Sequence, residues 1–339
     1  MMKCIVKEKA APGNIVLTER PIPEIGDSDI LVKVLATALC GSDLHIEEWN
    51  EFMARRVKPP MIIGHEFAGE VVKAGSKVTS VKVGDIVSAE THIVCNTCQL
   101  CRNGHRHVCL NTSTIGVHRD GSFAQYIAIP AENACVCDPN VSPEILSLME
   151  PLGAAVHTVM EFPVAAKDVA VIGCGPIGTM AVAVAKKVIA IDPNEKRAAM
   201  AKELGADYIV NPSVEDPVER VKALTNGLGV DVVLEFSGSV PAIKTSLNYI
   251  KLAGRISALG LPSTNVDFDF SEFVYRGLQL HGIAGRLMYQ TWEQMNGLLA
   301  SGLDVSKVVT HVLPMSEFEK GFELMRKGEC SKVILKPWE

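Results

Sequence analysis

From Val169 onward, short apolar runs alternate with stretches of helical periodicity, and this alternation constrains the fold more than any other feature. The runs are VAVIG at 169–173, KVIAID at 187–192, DYIVN at 207–211, DVVLEFSG at 231–238, GRISALG at 254–260 and LQLHGI at 278–283. Between them, EKRAAMAKELGA and PAIKTSLNYIKLAG carry helix periodicity. Apolar strands spaced by helices pair in parallel, with the helices covering both faces. The expectation is an α/β fold with a doubly wound parallel sheet of the Rossmann type.

The first third has a different texture. ILVKVLAT at 30–37, FAGEVVKAG at 67–75 and FAQYIAIP at 123–130 mix alternating and apolar strand patterns. VKVGDIVSA at 81–89 predicts two strands around a tight turn at Gly84-Asp85. After Gly285, helical TWEQMNGLLASG and FEKGFELMRKG lead to a last strand, KVILKPW. So short a tail cannot bury a core of its own and is expected to return to the first domain. The expected division is a β-rich domain over 1–152, a doubly wound domain over 153–285 and a return to the first over 286–339.

Composition excludes several function classes. The formal net charge is −6, with both signs mixed along the chain, so there is no basic footprint for nucleic acid. No apolar run approaches the roughly 20 residues that span a bilayer. The first residues, MMKCIVKEKAAPGN, lack the apolar core of a leader, and the expectation is a cytoplasmic protein with a small-molecule substrate. Ten cysteines are many for a reducing compartment, and four of them cluster. That pattern argues metal rather than disulfide.

Three constellations carry chemistry. Cys95, Cys98, Cys101 and Cys109 form C-x2-C-x2-C-x7-C, with the short hooks that gather thiolates around one ion. Four cysteines close a zinc shell, so such an ion would be structural; an iron–sulfur cluster is the rival reading. His105 and His107 lie inside the loop and read as exposed residues. The second constellation joins Cys40, in Cys40-Gly41-Ser42-Asp43-Leu44-His45, with His65 and Glu66 of Gly64-His65-Glu66 and with Glu150 of Glu150-Pro151-Leu152-Gly153. Cysteine, histidine and carboxylate from separate segments make a zinc site with a position open to substrate. Singly, each piece reads as an ordinary core residue. The third is Gly173-Cys174-Gly175-Pro176-Ile177-Gly178, a G-x-G-x-x-G that follows a strand and opens a helix. Its glycines allow the tight turn and the close approach of a pyrophosphate to the helix N-terminus. Asp192 ends the next strand, where a carboxylate accepts from a ribose 2′-OH and repels a 2′-phosphate, favouring NAD over NADP. A helix N-cap is the plainer role for the same residue.

CGSDLH, GHEFAGEV, the four-cysteine lobe, EPLGAAVHT and GCGPIG follow one another along the chain, which resembles a zinc-dependent medium-chain alcohol dehydrogenase over roughly residues 3–337. Its CGSD-x-H and EPLG forms, with GIAGRLMYQTWEQM and GFELMRKGECSKVIL, are similar to the threonine and polyol dehydrogenase branch. The resemblance implies a GroES-like catalytic domain, a structural zinc, a catalytic zinc on Cys40, His65 and Glu150, and Glu66 as an exchangeable ligand or close neighbour. Some members carry Asp-Pro-Phe-Gly at EPLG, so whether Glu150 ligates or relays protons stays open. Ser42 would contact the substrate hydroxyl and His45 would pass its proton to solvent. Gly173, Gly175, Ile177, Gly178, Asp192, Arg197, Leu259, Gly260, Leu261, Ile283 and Ala284 would contact NAD. The implied reaction is oxidation of a secondary alcohol, L-threonine to 2-amino-3-oxobutanoate, in a homotetramer. A polyol or 2,3-butanediol is the alternative substrate, and a non-catalytic NAD-binding protein the alternative of another class. An amino-acid substrate needs an anion clamp; Arg286 is the candidate, with a surface salt bridge as the plainer reading.

One stretch looks too short. Pro176 to Lys186 as helix and Lys187 to Ile191 as strand each span about 16 Å, which leaves nothing to reverse direction. AVAVAKKVIAID offers no Gly, Asn or Pro, and the stretch is about five residues shorter than such turns require in relatives. The expectation is a break in the chain between Ala185 and Val188.

Overall fold

The computed structural model describes every residue except Lys186. The chain divides into two compact units: Met1–Glu150 with Val309–Glu339, and Pro151–Val308. The stretch before Val309, including helix Gln290–Ala300, therefore lies with the second unit rather than with the first.

The first unit is built around a seven-stranded sheet. Strand Asp29–Ala38 is its centre, antiparallel to Glu66–Ala74 on one side and to Lys332–Lys336 on the other. The last strand of the chain is thus completed by one near its start, and the tail shares the first unit's core. That core joins Ile5, Leu39, Ile46 and Phe123 to Phe318, Phe322 and Leu335. A separate two-stranded pair, His92–Ile93 with Ser113–Thr114, carries the cysteine lobe.

One expected hairpin does not form. Ile86–Ala89 is a strand, but 81–85 is not. The Asp85 carboxylate accepts the Lys82 N–H at 2.9 Å, which closes those residues into a turn instead of leaving them free for a ladder. Gly84, at φ 91, supplies the left-handed residue.

The second unit holds a six-stranded parallel sheet in the order Tyr208–Val210, Val188–Ile191, Val169–Ile172, Val230–Glu235, Ile250–Ala258, Gln279–Gly282. The strand order reverses beside Val169–Ile172, so its carboxyl end is the switch point where such sheets bind ligands. Val169–Ile172 and Val188–Ile191 are buried at every residue, as their unbroken apolar runs require. PAIKTSLNYIKLAG splits: Val240–Ser246 is helix and Ile250 already begins a strand. Helix Pro176–Ala185 precedes strand Val188–Ile191. Lys187 there takes φ 54, a left-handed conformation in place of the missing glycine. The expected break between Ala185 and Val188 falls on Lys186 and lies outside the described residues. Among the described residues no helix is long and apolar enough to cross a membrane.

Candidate metal and dinucleotide sites

The cysteine lobe is compact. Ligand atoms of Cys95, Cys98, Cys101 and Cys109 all lie within 4.8 Å of one another. Cys109 Sγ is 3.5 Å from Cys95 Sγ and 3.9 Å from Cys98 Sγ. A tetrahedron with Zn–S bonds of about 2.3 Å has an edge of about 3.8 Å, so the spacing fits zinc. Backbone N–H groups point at the sulfurs: Cys98 N–H donates to Cys95 Sγ at 3.3 Å, and Asn111 N–H to Cys109 Sγ at 3.3 Å. The Thr97 backbone N–H, then the Asn111 amide and the Cys98 N–H, bring the Cys95 thiol down to about 5. Burial, then the neighbouring Cys109 and Cys98 thiols, push Cys101 up to about 12. The lobe therefore holds a thiolate ready for a cation while still crowding four sulfurs together. None of the ten cysteines is in a disulfide.

A second cluster forms where the large sheet ends. Ligand atoms of Cys40, His65 and Glu66 lie within 4.8 Å of one another. Each is placed by a different device. Cys40 is the N-cap residue of helix Gly41–Glu48, and its N–H donates to Asp43 Oδ2 at 2.9 Å. His65 follows Gly64, which takes φ 89 and lies against the Phe123 ring so closely that a Cβ would sit 2.1 Å from it. Gly116 and Gly121 close on the Gly64 carbonyl from the other side, where a Cβ on either would approach within 2.3 and 2.1 Å. No other residue type fits at these three positions. Glu66 begins the next strand, opposite Ala38.

Lys332 completes the cluster. Its Nζ donates to Glu66 Oε1 at 2.6 Å and to the Leu39 carbonyl at 3.1 Å, with both side chains buried. Burial alone would strip the ammonium of its proton, but the Glu66 carboxylate holds Lys332 above its ordinary value. His65 behaves alike: burial opposes its charge, yet the Cys40 thiolate and the Asp43 carboxylate raise it to about 10. Burial raises the Cys40 thiol, the His65 imidazolium outweighs it, and Cys40 settles at about 7. A thiolate, an imidazole and a carboxylate are a donor set for zinc, and binding it requires His65 to release its proton.

The remaining predicted residues of this region fall close by. Ser42 Oγ is 3.4 Å from His65 Nε2. His45 is exposed one turn along the same helix, 3.3 Å from Glu48. Glu150 accepts the Thr91 hydroxyl at 3.3 Å and stands outside the mutually close set of Cys40, His65 and Glu66. Asp43 and Lys332 were given no role by sequence reasoning. Asp43 is fully buried, and its Oδ1 lies 3.7 Å from His65 Nδ1, within ion-pair range but beyond a hydrogen bond, so neither atom has a hydrogen-bond partner.

In the second unit a cavity of about 420 Å³ opens at the switch point, lined among others by Gly173, Gly175, Asp192 and Arg197. Gly178 lies under the turn, where a Cβ would meet the Gly173 carbonyl at 1.9 Å, so the helix packs directly on the loop. Asp192 Oδ2 accepts the Cys174 N–H at 2.7 Å, and Oδ1 accepts the Asn194 N–H at 2.7 Å. The N-cap of the following helix is Asn194, not Asp192. Ile177, Leu259, Gly260, Leu261, Ile283 and Ala284 are not among that cavity's lining residues. Leu261 and Ala284 are exposed and Ile283 is buried. Arg286 is buried, with Cγ and Cδ against Gly153, where a Cβ would come within 2.7 and 2.5 Å. A surface salt bridge is therefore not its role.

Residues 26–139 match the family described as Alcohol dehydrogenase GroES-like domain, and 176–301 the one described as Zinc-binding dehydrogenase. The chain is 49% identical to an L-threonine 3-dehydrogenase of Caldanaerobacter subterraneus subsp. tengcongensis, covering 99% of each chain. It is 49% identical to the enzyme of that name from Bacillus subtilis, covering 99% of each. Among solved structures, a putative zinc-binding dehydrogenase from Sinorhizobium meliloti bound to NADP superposes with a TM-score of 0.92 at 30% identity, covering 99% of each chain. A 2R,3R-butanediol dehydrogenase from Bacillus subtilis superposes with a TM-score of 0.89 at 26% identity, covering 99% of this chain and all of the other. With both family matches in order along the chain and full-length relatives near half identity, the protein belongs to the zinc-binding alcohol dehydrogenase family.

Proposed function

We propose that the chain catalyses the zinc- and NAD-dependent oxidation of L-threonine to 2-amino-3-oxobutanoate. The observation that carries this reading is the meeting of Cys40, His65 and Glu66 donor atoms in a chain alike over 99% of its length to enzymes of that name. When bound, zinc would acidify the alcohol and NAD would accept the hydride. The chain's own residues do the rest. Cys40, His65 and Glu66 or Glu150 hold the ion, with the Asp43 carboxylate in ion-pair range of His65. Ser42 takes the hydroxyl proton, and His45, on the solvent side of the same helix, hands it to water. Thr91 orients Glu150 for a relay. Asp192, with Arg197 beside it, reads the adenosine ribose, and Ile177, Leu259-Gly260-Leu261 and Ile283-Ala284 contact NAD. Arg286 supplies the carboxylate clamp.

The butanediol dehydrogenase likeness supports a second substrate class, an uncharged vicinal diol. NAD reduction on L-threonine, 2,3-butanediol and sorbitol side by side decides: preference for the diol by kcat/KM sinks the threonine reading.

The assembly we propose is a cytoplasmic homotetramer. Strand Gln279–Gly282 is the edge of the parallel sheet, and all four of its residues are exposed. Leu280 on it is 54% exposed. An open apolar edge favours pairing with a second copy. Light scattering that returns a monomer mass removes this part.

A further inference from the structure

Glu235 is the last residue of strand Val230–Glu235, and it stands between the two turns that flank the dinucleotide site. In the sheet it pairs with Ile172 on one side and Ala258 on the other. Ile172 leads into Gly173-Cys174-Gly175, and Ala258 into Leu259-Gly260-Leu261. The side chain is 1% exposed.

Its carboxylate holds the turn that touches both neighbours. Oε1 accepts the Ser237 N–H at 2.8 Å, the Ser237 hydroxyl at 2.5 Å and the Gly238 N–H at 3.0 Å. Ser237 then presses on the glycine-rich loop: a Cβ on Gly173 would meet Ser237 Cβ and N at 2.8 Å. Gly238, at φ 61, presses on the other turn: a Cβ there would meet the Leu261 carbonyl at 2.5 Å. A Cβ on Gly260 would meet Gly238 N at 2.2 Å and Glu235 Oε2 at 2.4 Å. The Glu235 backbone carbonyl accepts from Leu259 N–H at 2.9 Å and Gly260 N–H at 3.1 Å. Phe236 and Ser237 themselves line the cavity at the switch point.

Such close packing leaves these turns little freedom to shift independently. The single oxygen Oε1 gathers all three of these donors and ties Ser237 and Gly238 to the strand end, while Oε2 is buried without a hydrogen-bond partner. Burying a carboxylate is costly, and burial does raise Glu235 above the ordinary carboxylate range against its hydrogen bonds. A leucine at this strand end would avoid that cost but would leave the Ser237 and Gly238 donors without Oε1, so the polar end group serves the turn rather than the packing of the sheet.

We propose that Glu235 is a positioning residue for the dinucleotide: its carboxylate locks the 236–238 turn, and through it sets the spacing between the Gly173 loop and the Leu259–Leu261 turn. This rests on the reading that the chain binds NAD and adds the residue that shapes the site from beneath.

The test uses the zinc-loaded full chain and NADH fluorescence titration without substrate. Glu235→Ala is expected to weaken NADH about tenfold and Glu235→Gln, which keeps one acceptor oxygen, about threefold. Zinc content and the L-threonine KM at saturating NAD should stay within about twofold of the parent. Unchanged NADH affinity in Glu235→Gln and in any folded Glu235→Ala overturns the proposal, as does an equal rise in the L-threonine KM. A parent chain that fails to bind NADH would instead sink the functional reading on which this rests.

Discussion

Lys332 Nζ lies 2.6 Å from Glu66 Oε1, with neither side chain open to water, although 266 residues separate them in sequence. The pair stands at the end of the sheet where Cys40 enters its helix, and Lys332 also binds the Leu39 carbonyl. It fixes the last strand of the chain to the metal cluster and sets the charge of that cluster.

Removing one partner of a buried ion pair leaves the other uncompensated, which costs about 3–5 kcal/mol. Lys332→Met should therefore destabilise the protein by that amount in urea unfolding. A double variant, Lys332→Met with Glu66→Leu, should recover most of the stability while losing activity. If the single variant costs under about 1 kcal/mol, the pair is not a buried ion pair in solution.

The cysteine lobe should bind its own zinc. Cys98→Ser is expected to lower metal content from two ions per chain to one, as measured by elemental analysis, and to reduce the thermal midpoint. Cys40→Ser should also lose one ion, but with activity abolished and the midpoint far less affected. Identical thermal behaviour of the two variants would argue against a structural role for the lobe.

Much of this was legible locally. The six parallel strands followed from apolar runs spaced by helices, and the two metal clusters from residue types at ligand spacing. What escaped was set by long-range geometry. Nothing near Lys332 in KVILKPW marks it as the partner of Glu66. Asp43 stood inside a quoted motif, yet its role depends on His65 arriving from another segment. Glu235 lies inside the run DVVLEFSG with nothing local to mark it, because the turns it holds come from both sides of the sheet. The missing hairpin at 81–89 shows the converse: Asp85 turns its carboxylate back onto Lys82, a local bond that alternating hydrophobicity does not encode.

Asp192 should set cofactor choice. Its carboxylate accepts the Cys174 N–H and so stiffens the glycine-rich loop, and it lines the cavity at the switch point. Asp192→Ser is expected to raise the KM for NAD about tenfold or more and to shift the NADP-to-NAD ratio of kcat/KM toward NADP. A variant that keeps its full preference for NAD would show that discrimination lies elsewhere, with Arg197 the next position to change.

The foot of the parallel sheet carries a clamp whose pH dependence follows from its charges. Lys251 Nζ donates to Asp168 Oδ2 and Asp231 Oδ2, each at 2.8 Å, and Asp231 Oδ2 also accepts the Asp168 N–H at 3.0 Å. Burial would raise both carboxyls, but the Lys251 ammonium outweighs it and holds them below the ordinary 3.8. Burial likewise opposes the charge on Lys251, and the two carboxylates raise it above 10.5. The carboxylates' contribution is therefore complete above pH 3.8 and fades as pH falls through their lower native values. The lysine's is complete below 10.5 and fades as pH rises through its higher native value. Since the side chains are about a quarter exposed, solvent screening limits the clamp to about 1–2 kcal/mol. Lys251→Met should lower stability by that amount at pH 7, and the difference from the parent should shrink toward zero below about pH 3. A gap in urea midpoints that stays constant from pH 7 to pH 3 would mean that Lys251 stabilises the sheet by packing its stem, not by its charge.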